Sequence, residues 1–137
     1  MRLVSSLAGF AIGLLSVTGL NAQDYPNKPV RIIAAYTPGG GTDLLARIVA
    51  KKLGEVWGQQ VVVENRPGAG GNIGTDAVAK APPDGYTLLI APSTHAIVPN
   101  LYAKLPFDTL KDFTFLTLVA AGPNILVVHP SVPASNV

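Results

Sequence analysis

The segment Thr37-Pro38-Gly39-Gly40-Gly41-Thr42-Asp43 places three consecutive glycines at the start of a helical pattern. Glycine has no Cβ, so the backbone can curl closely around a small group, and the first N–H groups of a helix lack acceptors within it. Such amides, with the positive end of the helix dipole, attract an oxyanion without any cationic side chain. Thr42 is placed to cap the helix or to touch a ligand, while Asp43 in the first turn favours the dipole. A second segment, Arg66-Pro67-Gly68-Ala69-Gly70-Gly71-Asn72, repeats the design with Asn72 as the expected cap. Arg66 has an anion, Glu64 or solvent as its alternatives. A third, Ala91-Pro92-Ser93-Thr94-His95, offers Ser93, Thr94 and His95 as neutral donors that orient a polar ligand. The candidate ligand-binding residues are thus Pro38, Gly39, Gly40, Gly41, Thr42, Asp43, Gly70, Gly71, Asn72, Ser93, Thr94 and His95. Glycine-rich loops also occur in α/β domains that bind nothing, so spacing alone leaves each loop open between site and scaffold. His95 and His129, taken singly, are more often capped or surface histidines than ligands.

Sharper chemistries fail on the residues. A nucleotide P-loop needs Lys and Ser/Thr after its last glycine, and Gly41 is followed by Thr42-Asp43. Ile73 stands where a dinucleotide-binding fingerprint needs its third glycine. No Gly-x-Ser-x-Gly elbow is present. The chain has no cysteine, which excludes disulfides, thiolate metal sites and a cysteine nucleophile. His95 and His129 lie far apart without a carboxylate cluster, so neither a metal nor a cofactor is expected. Ten Lys/Arg against eight Asp/Glu give a formal charge of +2, too thin for a nucleic-acid surface. No acid, base and nucleophile set emerges.

The elements that must position these loops alternate. Val30-Arg31-Ile32-Ile33-Ala34-Ala35 reads as a short buried strand. Over residues 42–57, Leu44, Leu45, Ile48, Val49, Leu53 and Val56 recur at three and four, which predicts a helix with one buried stripe. Arg47, Lys51, Lys52 and Glu55 occupy its other face, Gly58 ends it, and Trp57 reads as core packing. Val61-Val62-Val63-Glu64 is a second strand, residues 72–81 a shorter helix, Pro82-Pro83-Asp84-Gly85 a turn, and Tyr86-Thr87-Leu88-Leu89-Ile90 a third strand. A weak helical stretch follows near residues 97–102. Residues 115–121 and 125–129 read as two more strands around Gly122-Pro123-Asn124. Strand alternating with helix argues an α/β fold: an open, parallel-rich sheet flanked by helices, with ligands at the carboxyl ends of the strands.

The ends carry their own signals. Arg2, an uncharged stretch over residues 3–20 and the small Ala22 read as a secretory signal peptide over residues 1–22. With no cysteine for lipid attachment, the exported product is expected to be soluble. Ser135 or Asn136 would be a natural cap for a helix beyond Val137.

Several motifs in order resemble one family, the periplasmic receptors of the tripartite tricarboxylate transporter system (the Bug family). They are Tyr25-Pro26-Asn27-Lys28-Pro29-Val30-Arg31-Ile32, Pro38-Gly39-Gly40-Gly41-Thr42-Asp43, Val61-Val62-Val63-Glu64-Asn65-Arg66-Pro67-Gly68-Ala69-Gly70-Gly71-Asn72-Ile73-Gly74, Ala81-Pro82-Pro83-Asp84-Gly85-Tyr86-Thr87-Leu88-Leu89, Leu105-Pro106-Phe107-Asp108 and Lys111-Asp112-Phe113. The resemblance implies the first lobe of a type II periplasmic-binding-protein-like (Venus flytrap) fold, a clamshell that holds a small organic carboxylate. It implies delivery to the membrane subunits of a cation-coupled importer by a monomer with no catalytic role, no cofactor and no nucleic-acid partner. Gly39, Gly40, Gly41, Thr42 and Asp43 match the family's carboxylate-contacting loop; Ser93, Thr94 and His95 fall in a variable, cleft-facing one. The expected division is residues 1–22 as signal, 23–121 as the N-terminal α/β lobe and 122–137 as the crossover into a second, largely missing lobe. A truncated receptor is the leading expectation; an exported enzyme lobe acting on an anion and a non-functional remnant are the alternatives.

Overall fold

The computed structural model describes residues 25–123 and 125–133. The expected export signal, and Ser135 and Asn136, lie outside them. Three strands, β1 (Val30–Ala34), β2 (Val61–Asn65) and β3 (Thr87–Ile90), alternate with helices α1 (Gly41–Trp57), α2 (Asn72–Ala79) and α3 (Thr94–Leu101). A 3₁₀ turn, Ala69–Gly71, leads into α2. The sheet is parallel in the order β2-β1-β3. Val30 pairs with Val61 and Ala34 with Asn65 on one side, while Arg31 pairs with Thr87 and Ala34 with Ile90 on the other. The α/β architecture expected from the alternation is therefore present.

A central strand has neighbours on both edges and helices on both faces, so it reads as a nearly continuous apolar run. In β1 only Arg31 is exposed, and Val30 and Ala34 are fully covered. Successive side chains point to opposite faces. Ile32 and Ala34 pack with Ala46 and Ala50 of α1, while Ala35 lies against α2 beside Gly74. One helix covers each face. Burying a Val or Ile such as Val30 or Ile33 stabilises by roughly 2 kcal/mol, against less than about 1 kcal/mol for exposed ion pairs such as Lys52–Glu55. The sheet core, not the surface charge, holds this fold together.

Four expectations change. The buried line of α1 runs through Asp43, Ala46 and Ala50 with Val49 and Leu53 beside it, whereas Leu44, Ile48 and Val56 are exposed. The two alanines let the helix backbone approach the sheet closely, so the contact line centres on small residues and the larger ones fall to its flank. Second, α2 stops at Ala79 and α3 begins at Thr94, running through Pro99. Third, the caps are Gly40 for α1 and Gly71 for α2, neither with a side-chain bond, in place of Thr42 and Asn72. Fourth, residues 115–121 and 125–129 are not strands, and Phe115, Leu118 and Ile125 are exposed. A strand is defined by a ladder, and these runs pair with no strand among the described residues. One expectation holds closely: Gly58 closes α1 in the left-handed region (φ 63°) with its N–H on the Gly54 carbonyl. Trp57, expected in the core, is half-buried and packs edge-on against Tyr25, ring centres 5.8 Å apart.

Candidate functional site

Each candidate loop leaves the carboxyl end of a strand, so the three sit at one end of the sheet. In the first, the helix ladder begins with the Leu44 N–H on the Gly40 carbonyl at 3.0 Å. The amides of Gly41, Thr42 and Asp43 thus precede the first intrahelical bond, and the Gly40 cap supplies no side chain to them. Asp43 would spoil this end for an anion if its charge faced outward. Instead its side chain is buried beneath the loop. It accepts hydrogen bonds from the Gly39 amide at 2.9 Å, from Arg47 Nε at 3.0 Å and from Asn65 Nδ2 at 2.9 Å, and Arg47 adds an ion pair at 3.0 Å. The Arg47 guanidinium foremost, then the Gly39 amide and Asn65, lower its pKa from 3.8 to about 2. Asp43 therefore locks the loop from below, and Arg47 cancels its charge.

The second loop is held differently. Gly68 (φ 131°), Ala69 (48°), Gly70 (66°) and Gly71 (96°) are four consecutive residues with positive φ. Every carbonyl in this run has a donor: the Gly71 N–H bonds to Gly68 at 2.9 Å, the Tyr102 hydroxyl to Ala69 at 3.3 Å, the Tyr36 hydroxyl to Gly70 at 2.9 Å and the Thr75 hydroxyl to Gly71 at 2.9 Å. Carbonyl oxygens would repel a carboxylate, and these are all engaged elsewhere. Asn72, the first residue of α2, is buried. Arg66 takes the second of its open alternatives, an ion pair with Glu64 at 2.7 Å.

In the third loop, Ser93 precedes α3 without a side-chain cap bond, and both Ser93 and Thr94 are exposed. Thr94 Oγ1 lies 2.6 Å from the Tyr36 hydroxyl. The His95 ring goes elsewhere: it stacks on Phe107 at 6.3 Å and meets Phe113 edge-on at 5.3 Å. Tyr36 directly precedes the first loop and touches both others, so one side chain joins all three. Asn65, at the end of β2, joins the first loop to the second by donating also to the Tyr36 carbonyl at 3.2 Å. Pro38, Gly39, Gly40, Gly41 and Thr42 form the first rim, Gly70 and Gly71 the second, and Thr94 reaches between them. His95 does not join this group.

Tyr36, Asn65, Arg47 and Tyr102 were not among the residues singled out from the sequence. Asn65 had one signal, since a strand register places it beside Ala34, the last residue before the first loop. Two open depressions lie away from the loops: one of about 580 Å³ is lined by Tyr102, Asp108 and Asp112, the other of about 420 Å³ by Tyr25, Lys28 and Tyr86. The first has acidic walls unsuited to an anion. Among the described residues no three His, Cys, Asp or Glu side chains gather as a metal site, and no helix is long and apolar enough to cross a membrane.

Residues 45–137 match the family model described as the tripartite tricarboxylate transporter family receptor. Among curated proteins, the chain is 43% identical over 113 residues to Protein BugT of Bordetella pertussis, covering 81% of this chain and 35% of that protein. Among solved structures it is similar to the periplasmic binding protein BugD, with 40% identity, TM-score 0.62 and coverage of 65% of this chain and 30% of that one. MatC (Rpa3494) from Rhodopseudomonas palustris with bound malate gives 36%, 0.62, 66% and 31% on the same measures. Rpa4515 of R. palustris with adipate gives 42%, 0.60, 63% and 29%. The chain spans a little over a third of the length of the curated relatives it matches.

Proposed function

Because the chain belongs to the tripartite tricarboxylate transporter receptor family, we propose that it forms the N-terminal lobe of an extracytoplasmic receptor that binds a small organic carboxylate. In this reading residues 1–22 direct export to the periplasm and are removed, residues 23–121 build the first lobe, and residues 122–137 begin the crossover to a second. The loaded monomer hands its ligand to the membrane subunits of the transporter. One observation carries the reading: the amides of Gly41, Thr42 and Asp43 stand without a side-chain cap at the carboxyl end of β1, with the Asp43 carboxylate buried and neutralised by Arg47. Two similar structures are named with bound carboxylates, malate and adipate, which supports the same ligand class here. The family is one of receptors and its solved members are named as binding proteins rather than enzymes, so the enzyme-lobe alternative is not carried forward.

A thermal-shift panel of small carboxylates tests the proposal. A ligand at a hundred times its Kd stabilises by about 2.7 kcal/mol, which raises the melting midpoint by several degrees. Gly40→Leu should abolish that rise and leave the ligand-free midpoint in place. Gly40 has ordinary extended backbone (φ −78°), and an added Cβ would meet only the Thr37 carbonyl at 3.5 Å. Unchanged midpoints across the panel, with cooperative melting, would sink the carboxylate reading.

A further inference from the structure

The hydroxyls of Tyr36 and Thr94 each carry one proton, and the contacts around them fix where both protons go. Gly70 O is an acceptor only, so a Tyr36 Oη placed 2.9 Å from it must donate to it. That spends the tyrosine proton. Tyr36 Oη then has only lone pairs left for Thr94 Oγ1 at 2.6 Å, so Thr94 must donate to Tyr36. The chain therefore runs in one direction, from Thr94 through Tyr36 to the Gly70 carbonyl. Thr94 is exposed at the ligand end of the sheet, and its one proton points away into this relay.

We propose that the Thr94–Tyr36–Gly70 relay sets the polarity of the cleft at Thr94, leaving its hydroxyl an acceptor that selects carboxylates bearing a donor, a hydroxyl or an ammonium, on their carbon chain. The inference rests on the carboxylate reading above. Loop amides take the carboxylate; Thr94 Oγ1, at the same end of the sheet, offers the rest of the ligand lone pairs. A bare methylene there leaves the oxygen unanswered, a second carboxylate oxygen is repelled, and a hydroxyl or ammonium donates. Tyr36 is a positioning residue in this scheme, since it acts only by claiming the proton of Thr94.

Malate, aspartate and succinate share one four-carbon diacid skeleton and differ by a hydroxyl, an ammonium or nothing on one carbon. Titration calorimetry on the whole protein should show malate or aspartate binding at least about ten-fold more tightly than succinate, the effect of one hydrogen bond to an otherwise unanswered polar group. The tighter of the two names the donor. Thr94→Val should erase the preference by weakening the donor-bearing acid, and Thr94→Ser should keep it. Tyr36→Phe supplies the readout that a merely structural role would not move. It frees the Thr94 proton, so the ratio of donor-bearing acid to succinate should fall several-fold while succinate itself holds or gains. Loss of all three acids by one common factor in Tyr36→Phe would overturn the relay. Equal binding of the three by the unaltered protein, or binding of adipate but of none of them, overturns this inference and leaves the carboxylate reading standing. Binding of no acid in the thermal panel overturns both.

Discussion

The two glycine loops obey one plan, strand to glycines to helix, yet they are held by opposite means. The first keeps mostly ordinary backbone and is locked by a charge: the buried Asp43 carboxylate gathers the Gly39 amide, Asn65 and Arg47. The second runs through four positive-φ residues and is held by neutral hydroxyls on its carbonyls. A lock built on charge answers to pH and to its counter-ion. A lock built on packing and neutral hydrogen bonds answers to volume. The comparison is therefore breakable from either side, and by different perturbations.

The largest effect should come from the seat of the second loop. A Cβ on Gly74 would lie 2.8 Å from the Arg66 carbonyl and 2.9 Å from Ala35 Cα, backbone atoms that cannot step aside. Gly74→Ala should cost about 3 kcal/mol, at the upper end for overpacking, read as a drop in the chemical-denaturation midpoint. A loss below about 0.5 kcal/mol would mean that α2 is free to shift on β1, against the overpacking argument. Gly71→Ala should follow at about 2 kcal/mol, since a non-glycine residue in the left-handed region is strained and the added carbon would also press on a neighbour. That neighbour is the Tyr36 ring, 3.1 Å away. The matching change in the first loop, Gly40→Ala, should cost almost nothing, because its backbone is extended and its surroundings are open.

The alternation of elements was legible in the sequence because it follows from local pattern: β-branched runs, three-and-four spacing, and glycine at Gly58. The loops were legible for the same reason. What could not be read was how the loops are held: the i,i+4 pair of Arg47 with Asp43 is local, but Tyr36 and Asn65 act on partners 18 to 58 residues away. No local signal announces such contacts. Asp43 sits in the first turn as expected, but its position does not announce that its buried side chain also gathers the Gly39 amide, Asn65 and Arg47. Residues 115–121 show the converse limit. Their composition says strand, but a strand also needs a neighbour to pair with, and composition cannot supply one. The buried line of α1 was misjudged because periodicity counts large apolar residues and takes no account of how close Ala46 and Ala50 let a helix come.

The charge lock predicts an acid response confined to the first loop. Asp43 has its pKa lowered to about 2 from 3.8, chiefly by Arg47. A group whose pKa is lower in the folded state stabilises above its unfolded value and loses that contribution as pH falls through the folded one. The contribution of Asp43 is thus intact at pH 5 and shrinks from about pH 4 to pH 2. Asp43→Asn should lower the midpoint at neutral pH and flatten the decline in that window. Asp84 and Asp108, also lowered, will leave a residual slope. Arg47→Gln should act on the same lock at neutral pH by leaving the buried charge without its partner, and weaken carboxylate binding through the uncancelled negative charge. Parallel acid profiles for Asp43→Asn and the unaltered chain would remove the charge lock from the account.

A smaller effect than at Gly71, and the one that separates the two loops most cleanly, belongs to Gly39. It is the single left-handed residue of the first loop, at φ 82°, and an added Cβ would meet nothing within 4 Å. Only backbone strain opposes a side chain there, so Gly39→Ala should cost about 1 kcal/mol and Gly39→Asn less, since Asn tolerates this region. The Gly39 amide keeps its bond to Asp43 in either case, because that bond uses the main chain. Equal costs at Gly39 and Gly71 would show that both loops depend on glycine alone. A cost at Gly39 near half that at Gly71 means that the first loop draws its shape from the carboxylate beneath it, and the second from the tyrosine packed against it.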